Sequence, residues 1–146
     1  MRFAPFLPLA ALLLSGCGGS GSPGHPSAYL APPVPADATP LRCGQSVVLG
    51  GLRLTFARVL ADTRCPVEVQ CPWSGDAEIE IAADPSCAPE CAAPSRQLRL
   101  HTHLQPRAGE HLGWRVELVA LYPLPRSDRS SPTSDYVAWL QVQQVP

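Results

Sequence analysis

The sequence predicts an all-β domain: a small antiparallel β-sandwich, or a partly open barrel, of about six strands stapled by disulfide bonds. Three observations predict it. Apolar and polar residues alternate with a period of two from residue 41 onward, as in strands with one buried face. No convincing helical segment lies between these runs, and strands without crossover helices pair antiparallel. The chain also has 6 Cys and 18 Pro, which is typical of loop-rich exported proteins.

The alternating segments give the predicted strands in chain order. They cover residues 46–49, 52–56, 78–81, 98–104, 114–120 and 136–145. The apolar pair Val59-Leu60 is out of phase with the second strand, which predicts a bulge near Ala57 and Arg58. The two long loops, 84–95 and 122–135, are rich in Pro. Loops of this length are either functional or mobile.

The amino terminus is typical of an exported protein. One Arg is followed by an apolar stretch, residues 3–14, and then by Leu14-Ser15-Gly16-Cys17. The stretch is too short to cross a hydrocarbon core of about 30 Å, so it is predicted to be a cleaved signal peptide. Its last four residues resemble the lipobox of bacterial lipoproteins. The resemblance implies cleavage before Cys17, a diacylglyceryl group on its sulfur, and acylation of the new amino terminus.

Three regions follow from this reading. Residues 1–16 are the signal peptide, residues 17–40 a lipid-anchored Gly/Ser/Pro tether, and residues 41–146 the β domain. Gly18 stands where enteric-type lipoproteins with an inner-membrane retention signal have Asp. We therefore expect an outer-membrane protein of the cell envelope that faces the periplasm.

The composition limits the partners. The formal net charge is −1 and only 16% of residues are charged, so the concentrated basic surface that nucleic acid requires is missing. The expected partners are the membrane, through the lipid, and a protein of the envelope. The domain itself is expected to be a monomer.

Five Cys remain if Cys17 carries lipid, and two pairs with one left over can be drawn in fifteen ways. Proximity in sequence favours Cys65 with Cys71 and Cys87 with Cys91. Cys43 is then a free thiol, or else it pairs with one member of the second couple. The spacings do not match the paired knuckles of structural zinc sites, and an oxidising compartment favours disulfides.

Residues 62–77 carry the most specific motif, Asp-Thr-Arg-Cys-Pro-Val-Glu-Val-Gln-Cys-Pro-Trp-Ser-Gly-Asp-Ala. The segment resembles a D-S-R-C-P-x4-C-x-W-x-G signature of small bacterial lipoproteins and secreted β-domain proteins that have no assigned activity. Thr63, Pro72 and Ser74 depart from that signature. The resemblance implies fold and location, and it implies no chemistry.

Two interpretations of this segment remain open. In the first it is a structural corner, in which Trp73 covers the disulfide, Gly75 permits the turn and Asp62 pairs with Arg64. In the second it is a rigid recognition loop, because a closed loop binds with little further ordering cost. The candidate recognition residues are Pro66, Val67, Glu68, Val69, Gln70 and Trp73. Protease inhibition through the Cys65–Cys71 loop is an alternative function of the same segment.

Histidines give a third hypothesis. His101 and His103 lie two apart on a predicted strand and so share its solvent face, and His111 follows after a turn. Imidazoles in this arrangement bind zinc or copper, which would make the chain a periplasmic metal-binding protein, although isolated exposed His residues are common on strands.

Enzymatic motifs are missing from the sequence. It has no G-x-S-x-G elbow, no phosphate-binding glycine loop and no poised pair of carboxylates. We therefore predict no catalytic residue and no cofactor. The sequence favours a non-enzymatic binding or structural module of the cell envelope.

Overall fold

The computed structural model describes residues 32–146. Eight antiparallel strands form two four-stranded sheets that are not closed into a barrel. The strands in chain order are β1 (Thr39–Arg42), β2 (Ser46–Leu49), β3 (Leu52–Asp62), β4 (Ala77–Pro85), β5 (Arg96–His101), β6 (Ala108–His111), β7 (Trp114–Tyr122) and β8 (Val137–Gln144). One sheet has the order β1-β8-β7-β6 and the other β2-β3-β4-β5. The predicted sandwich is confirmed.

The core lies between the sheets and is built from the alternating faces. Phe56 of β3, Ile79 of β4 and Leu100 of β5 are fully buried from one sheet. Leu118 of β7 and Leu140 of β8 are fully buried from the other. Each buried side chain of this size contributes about 1.5 to 3 kcal/mol to stability relative to an exposed position. The bulge predicted near Ala57 is also present, because the β3–β4 register shifts between Phe56 and Arg58.

The sequence pattern missed two strands, and both are edge strands. β1 contains Pro40, which pairs with Trp139 of β8 and which an edge strand tolerates because one side of its backbone needs no partner. β6 is a four-residue strand with Gly109 in it. Strands this short show no clear alternation, so the prediction of about six strands was two short. The first strand begins at Thr39.

β5 is shorter than predicted, and this matters for the histidines. The strand ends at His101 rather than at Leu104. The backbone N–H groups of His103 and Leu104 donate to the Asp76 carboxylate instead of to a neighbouring strand. The prediction that His101 and His103 lie on one solvent-facing strand is therefore wrong.

Candidate functional site

The cysteines pair as proximity in the sequence favours. Cys65 is bonded to Cys71 and Cys87 to Cys91, and Cys43 is a free, half-buried thiol. Burial raises the pKa of Cys43 above its ordinary value, although a hydrogen bond from the Gly44 backbone opposes this. We call residues 65–71 the stapled loop; it lies between the end of β3 and the start of β4.

Arg64 fixes the entry to the stapled loop. Only 5% of its surface is exposed. Its Nε and Nη2 donate to the two carboxylate oxygens of Asp62 at 2.9 and 2.7 Å, which is the bidentate geometry that gives the strongest charged hydrogen bonds. Nη1 donates to the Leu121 carbonyl at 2.6 Å and Nη2 to the Pro123 carbonyl at 2.9 Å. The predicted Asp62–Arg64 pair is thus present, and it ties the end of β3 to the end of β7.

Tyr136 completes this polar cluster from the start of β8. Its hydroxyl donates to Asp62 Oδ2 at 2.9 Å. Burial raises the pKa of Asp62, but the hydrogen bonds and charge of Arg64, with the Tyr136 bond, outweigh it and lower the pKa below its ordinary value. Burial and the bond to Asp62 raise the pKa of Tyr136. The group is therefore a carboxylate, a guanidinium and a neutral phenol at neutral pH.

The stapled loop also rests on the loop between β7 and β8. Val67 N–H donates to the Pro125 carbonyl at 3.1 Å. Glu68 accepts hydrogen bonds from the Ser127 N–H at 2.6 Å and its hydroxyl at 2.9 Å, and the bond from the Ser127 backbone is the main cause of a lowered pKa at Glu68. Within the loop, the Pro66 carbonyl accepts a hydrogen bond from Val69 N–H at 3.0 Å. Four of the six candidate recognition residues are therefore held by hydrogen bonds.

The exit from the stapled loop is fixed by backbone contacts. Cys65 N–H donates to the Ser74 carbonyl at 2.8 Å, and Thr63 N–H donates to the Asp76 carbonyl at 2.7 Å. Gly75 between them has φ +69°, and a Cβ there would collide with the Thr63 carbonyl oxygen. The turn that the sequence assigned to Gly75 therefore requires glycine for two reasons, its conformation and its close approach.

Trp73 does not cover the disulfide. Its side chain is 73% exposed, the largest exposure of any large apolar residue among residues 32–146, and Val69 nearby in the loop is 45% exposed. The backbone of both residues lies near Cys65. Its Sγ is 3.3 Å from the Val69 carbonyl oxygen, and its N–H donates to the carbonyl of Ser74, the residue after Trp73. The segment therefore presents an aromatic and an aliphatic side chain to solvent from a frame that is fixed at both ends.

Asp76 organises a second polar cluster that the sequence did not reveal. Its Oδ2 lies 2.6 Å from His101 Nδ1, and its Oδ1 accepts from Thr102 Oγ1 at 3.2 Å and from the His103 and Leu104 N–H groups at 2.8 and 3.2 Å. Burial raises the pKa of Asp76, but these hydrogen bonds, that of His101 first, lower it to about 2. The cluster holds the start of β4 against the end of β5.

The structure does not bring the three histidines together. His111 is 8% exposed and its Nε2 lies 2.8 Å from the Pro94 carbonyl oxygen, so that nitrogen is a donor. His101 is bound to Asp76, and His103 Nδ1 lies 3.2 Å from Thr102 Oγ1. Within residues 32–146 no three metal-binding side chains form a group that could hold an ion. The proposed site of His101, His103 and His111 is therefore wrong as a cluster.

Comparison with known proteins adds no assignment: no protein-family model, curated protein or solved structure matches the chain. The described part of the chain has no helix long and apolar enough to cross a membrane. Cys17 and the predicted signal peptide lie outside the described residues.

Proposed function

We propose that this chain is a lipid-anchored binding module of the cell envelope that holds a protein partner through Trp73 and the stapled loop. The observation that carries the proposal is the exposure of Trp73, two residues beyond a loop that is fixed by a disulfide, by Arg64 and by Ser127. Tryptophan is enriched among the few residues that dominate binding energy at protein interfaces. A loop already ordered in the free protein loses little further entropy on binding.

The side chains near the stapled loop favour a protein partner whose binding surface is both apolar and charged. The whole chain has a formal net charge of −1. Val69 and Trp73 expose apolar side chains. Glu68 of the stapled loop bonds to Ser127, which lies between Arg126 and Asp128 in the chain, and these two charged residues pair with each other at 3.0 Å. An apolar centre with a charged rim is the usual anatomy of a protein interface.

The test places a photo-crosslinking amino acid at position 73 of the full, membrane-anchored chain in cells. Position 48 is the matched control, because Val48 is also an exposed apolar residue, at 55%, and lies on β2 away from the loop. We expect one crosslinked protein at position 73 and none at position 48. That protein, once purified, should bind Trp73→Ser at least ~10-fold more weakly than wild type, and Val48→Ser as well as wild type.

The same proteins and experiments distinguish the proposed function from protease inhibition and from a purely structural role. Equal crosslinking at both positions, or full binding by Trp73→Ser, would contradict the proposal. Protease inhibition would instead be indicated if the protein inhibits a protease and Val67→Ala or Glu68→Ala removes the inhibition without lowering stability. A purely structural corner predicts that Cys65→Ser is destabilising and that changes at Val69 and Trp73 have no effect on any binding.

Anchoring is tested separately, since Cys17 lies outside the described residues. The lipobox resemblance leads us to expect wild type in the membrane fraction and Cys17→Ser in the soluble fraction of lysed cells. Mass spectrometry of the mature amino terminus should show the lipid on Cys17. A membrane-bound Cys17→Ser protein without its signal peptide would contradict the proposed anchor.

A further inference from the structure

A cavity of about 270 Å³ lies beside β7, against Arg64 and the segment that joins β5 to β6. Its lining combines apolar side chains with polar ones, three of which come from that segment. The apolar lining comes from Pro32, Val119, Ala120, Leu121 and Leu124, and the polar lining from Arg64, Thr102, His103 and Arg107. Concave sites that combine apolar side chains with polar groups are typical of small-molecule binding.

Arg107 is the unusual member of this lining. Its Nε is buried and has no hydrogen-bond partner, and it is the only such buried side-chain atom within residues 32–146. Its Nη2 makes one long contact, 3.5 Å to the Leu118 carbonyl oxygen. None of the ion pairs in the described part of the chain includes Arg107. Because Nε has no accessible surface, a ligand in the cavity can reach only the Nη1 and Nη2 groups of Arg107. A partly buried charge without a counter-ion is costly to the fold, and an anion bound at these two groups would offset that cost.

Arg64 also lines the cavity but adds no net charge to it. Four hydrogen bonds engage its guanidinium, and since a guanidinium has five N–H groups, one N–H on Nη1 has no partner among the described residues. Asp62 balances its charge at 2.7 Å. The cavity therefore carries one uncompensated positive charge, that of Arg107.

We propose that this cavity binds a small carboxylate with a short apolar body. The planar guanidinium of Arg107 matches the two oxygens of a carboxylate, and the wall of Val119, Leu121 and Leu124 accommodates the hydrocarbon part. An inorganic anion would satisfy Arg107 but leave that wall unused. The carboxylate comes either from a free acid or from the end of a peptide chain. This inference does not depend on the proposed function, because it uses neither Val69 nor Trp73.

The test is an NMR titration of the full-length chain in detergent with four probes: butyrate, butyramide, inorganic phosphate and the peptide acetyl-Ala-Val. We expect butyrate to give saturable shifts at the Leu121 and Leu124 methyl groups and at the Arg107 Nε–H. Butyramide has the same shape without the charge and should bind at least ~10-fold more weakly, since charged hydrogen bonds carry that much discrimination. A peptide that binds more tightly than butyrate identifies a chain end as the source, and the reverse identifies a free acid.

Variants at position 107 test whether Arg107 binds the carboxylate. Arg107→Gln should weaken butyrate binding at least ~10-fold. The affinity of Arg107→Lys should lie between those of wild type and Arg107→Gln. Arg99→Gln, on the exposed face of β5, should bind butyrate as well as wild type. The comparison of butyrate with butyramide needs only wild type, so it stands even if a variant does not fold. Equal binding of butyrate and butyramide, tighter binding of phosphate, or unchanged binding by folded Arg107→Gln would each overturn the proposal.

Discussion

The two disulfide loops have the same chemistry and different surroundings. In the stapled loop, Val67 and Glu68 bond to Pro125 and Ser127, which lie almost 60 residues away in the chain. In the second loop, closed by Cys87 and Cys91, the backbone bonds are local turns, such as Glu90 N–H to the Cys87 carbonyl at 2.8 Å. No hydrogen bond among the described residues joins positions 87–91 to a distant segment.

The comparison separates the effect of a disulfide on the unfolded chain from the contacts that position a loop in the folded protein. Closing a short loop lowers the conformational entropy of the unfolded chain, and both disulfides have this effect. Fixing a loop in relation to the rest of the fold takes further contacts. The stapled loop has them within its own residues, whereas the second loop has a distant contact only at its entry, from Ser86 N–H to the Gly51 carbonyl at 2.9 Å. The stapled loop is also fixed at its entry by Arg64 and at its exit by Gly75 and Asp76, which makes its surface suited to recognition.

The largest expected effect comes from Arg64→Met. Removal of the guanidinium leaves the Asp62 carboxylate and the Leu121 and Pro123 carbonyls without their main donor. Breaking one partner of a buried ion pair costs about 3 to 5 kcal/mol. We expect a loss of this size in the free energy of urea unfolding, together with faster amide exchange across residues 121–127.

Arg126→Met is the matched control, because Arg126 also pairs with an Asp two residues away but both side chains are largely exposed. Its unfolding free energy should be close to that of wild type, as for most exposed pairs. Arg64→Lys, which keeps the charge without the planar fork, should lose less than Arg64→Met. Equal stability of Arg64→Met and Arg126→Met would contradict the role assigned to Arg64.

The second-largest loss of stability is expected when either disulfide is removed, in the double variants Cys65→Ser/Cys71→Ser and Cys87→Ser/Cys91→Ser. The bridged cysteines are separated by 6 and 4 positions in the sequence, so the loop-entropy model gives similar losses of about 2 kcal/mol each. Their local consequences should differ. Hydrogen exchange should rise in residues 121–127 only for the first pair, because only that loop is bonded there. A similar rise for the second pair would remove the distinction between the two loops.

Much of the fold could be predicted from the sequence, because burial on one face leaves a pattern with period two. The alternation in β3 and β7 and the phase change after Phe56 report the core and the bulge directly. The edge strands β1 and β6 leave no such pattern, since four residues with a Pro or a Gly give too few alternations. Pairing with β8 and β7 forms them, and that is a property of the assembled sheet.

The site could be predicted only where its parts are close in sequence. Cys65 with Cys71 and Asp62 with Arg64 were within reach for this reason. The partners Tyr136, Ser127 and Asp76 were missed, because they reach their contacts through the packing of distant segments. For the same reason the sequence leaves open whether Trp73 covers the disulfide or is exposed: the motif fixes the residue type, and the fold decides which side of the turn it faces.

Asp76→Asn gives the smallest of these effects and tests the exit of the stapled loop. The Asp76 side chain is 12% exposed, and its pKa is about 2 against an ordinary 3.8. A carboxylate with a lowered pKa stabilises the fold fully above its ordinary pKa, and that contribution is lost as the pH falls through about 2. After allowance for solvent screening, the contribution at pH 7 is about 1 to 2 kcal/mol.

The measurement is the free energy of urea unfolding from pH 7 to pH 2 for wild type, Asp76→Asn and Asp84→Asn, the last a control on β4. Asp62 also has a lowered pKa, so wild type and both variants share a fall in stability at acid pH. The difference between wild type and Asp76→Asn should be largest above about pH 4 and should vanish near pH 2, whereas Asp84→Asn should follow wild type throughout. A difference that stays constant over this range would show that Asp76 acts through its shape and hydrogen bonds rather than its charge, and the exit of the loop would then be held independently of pH.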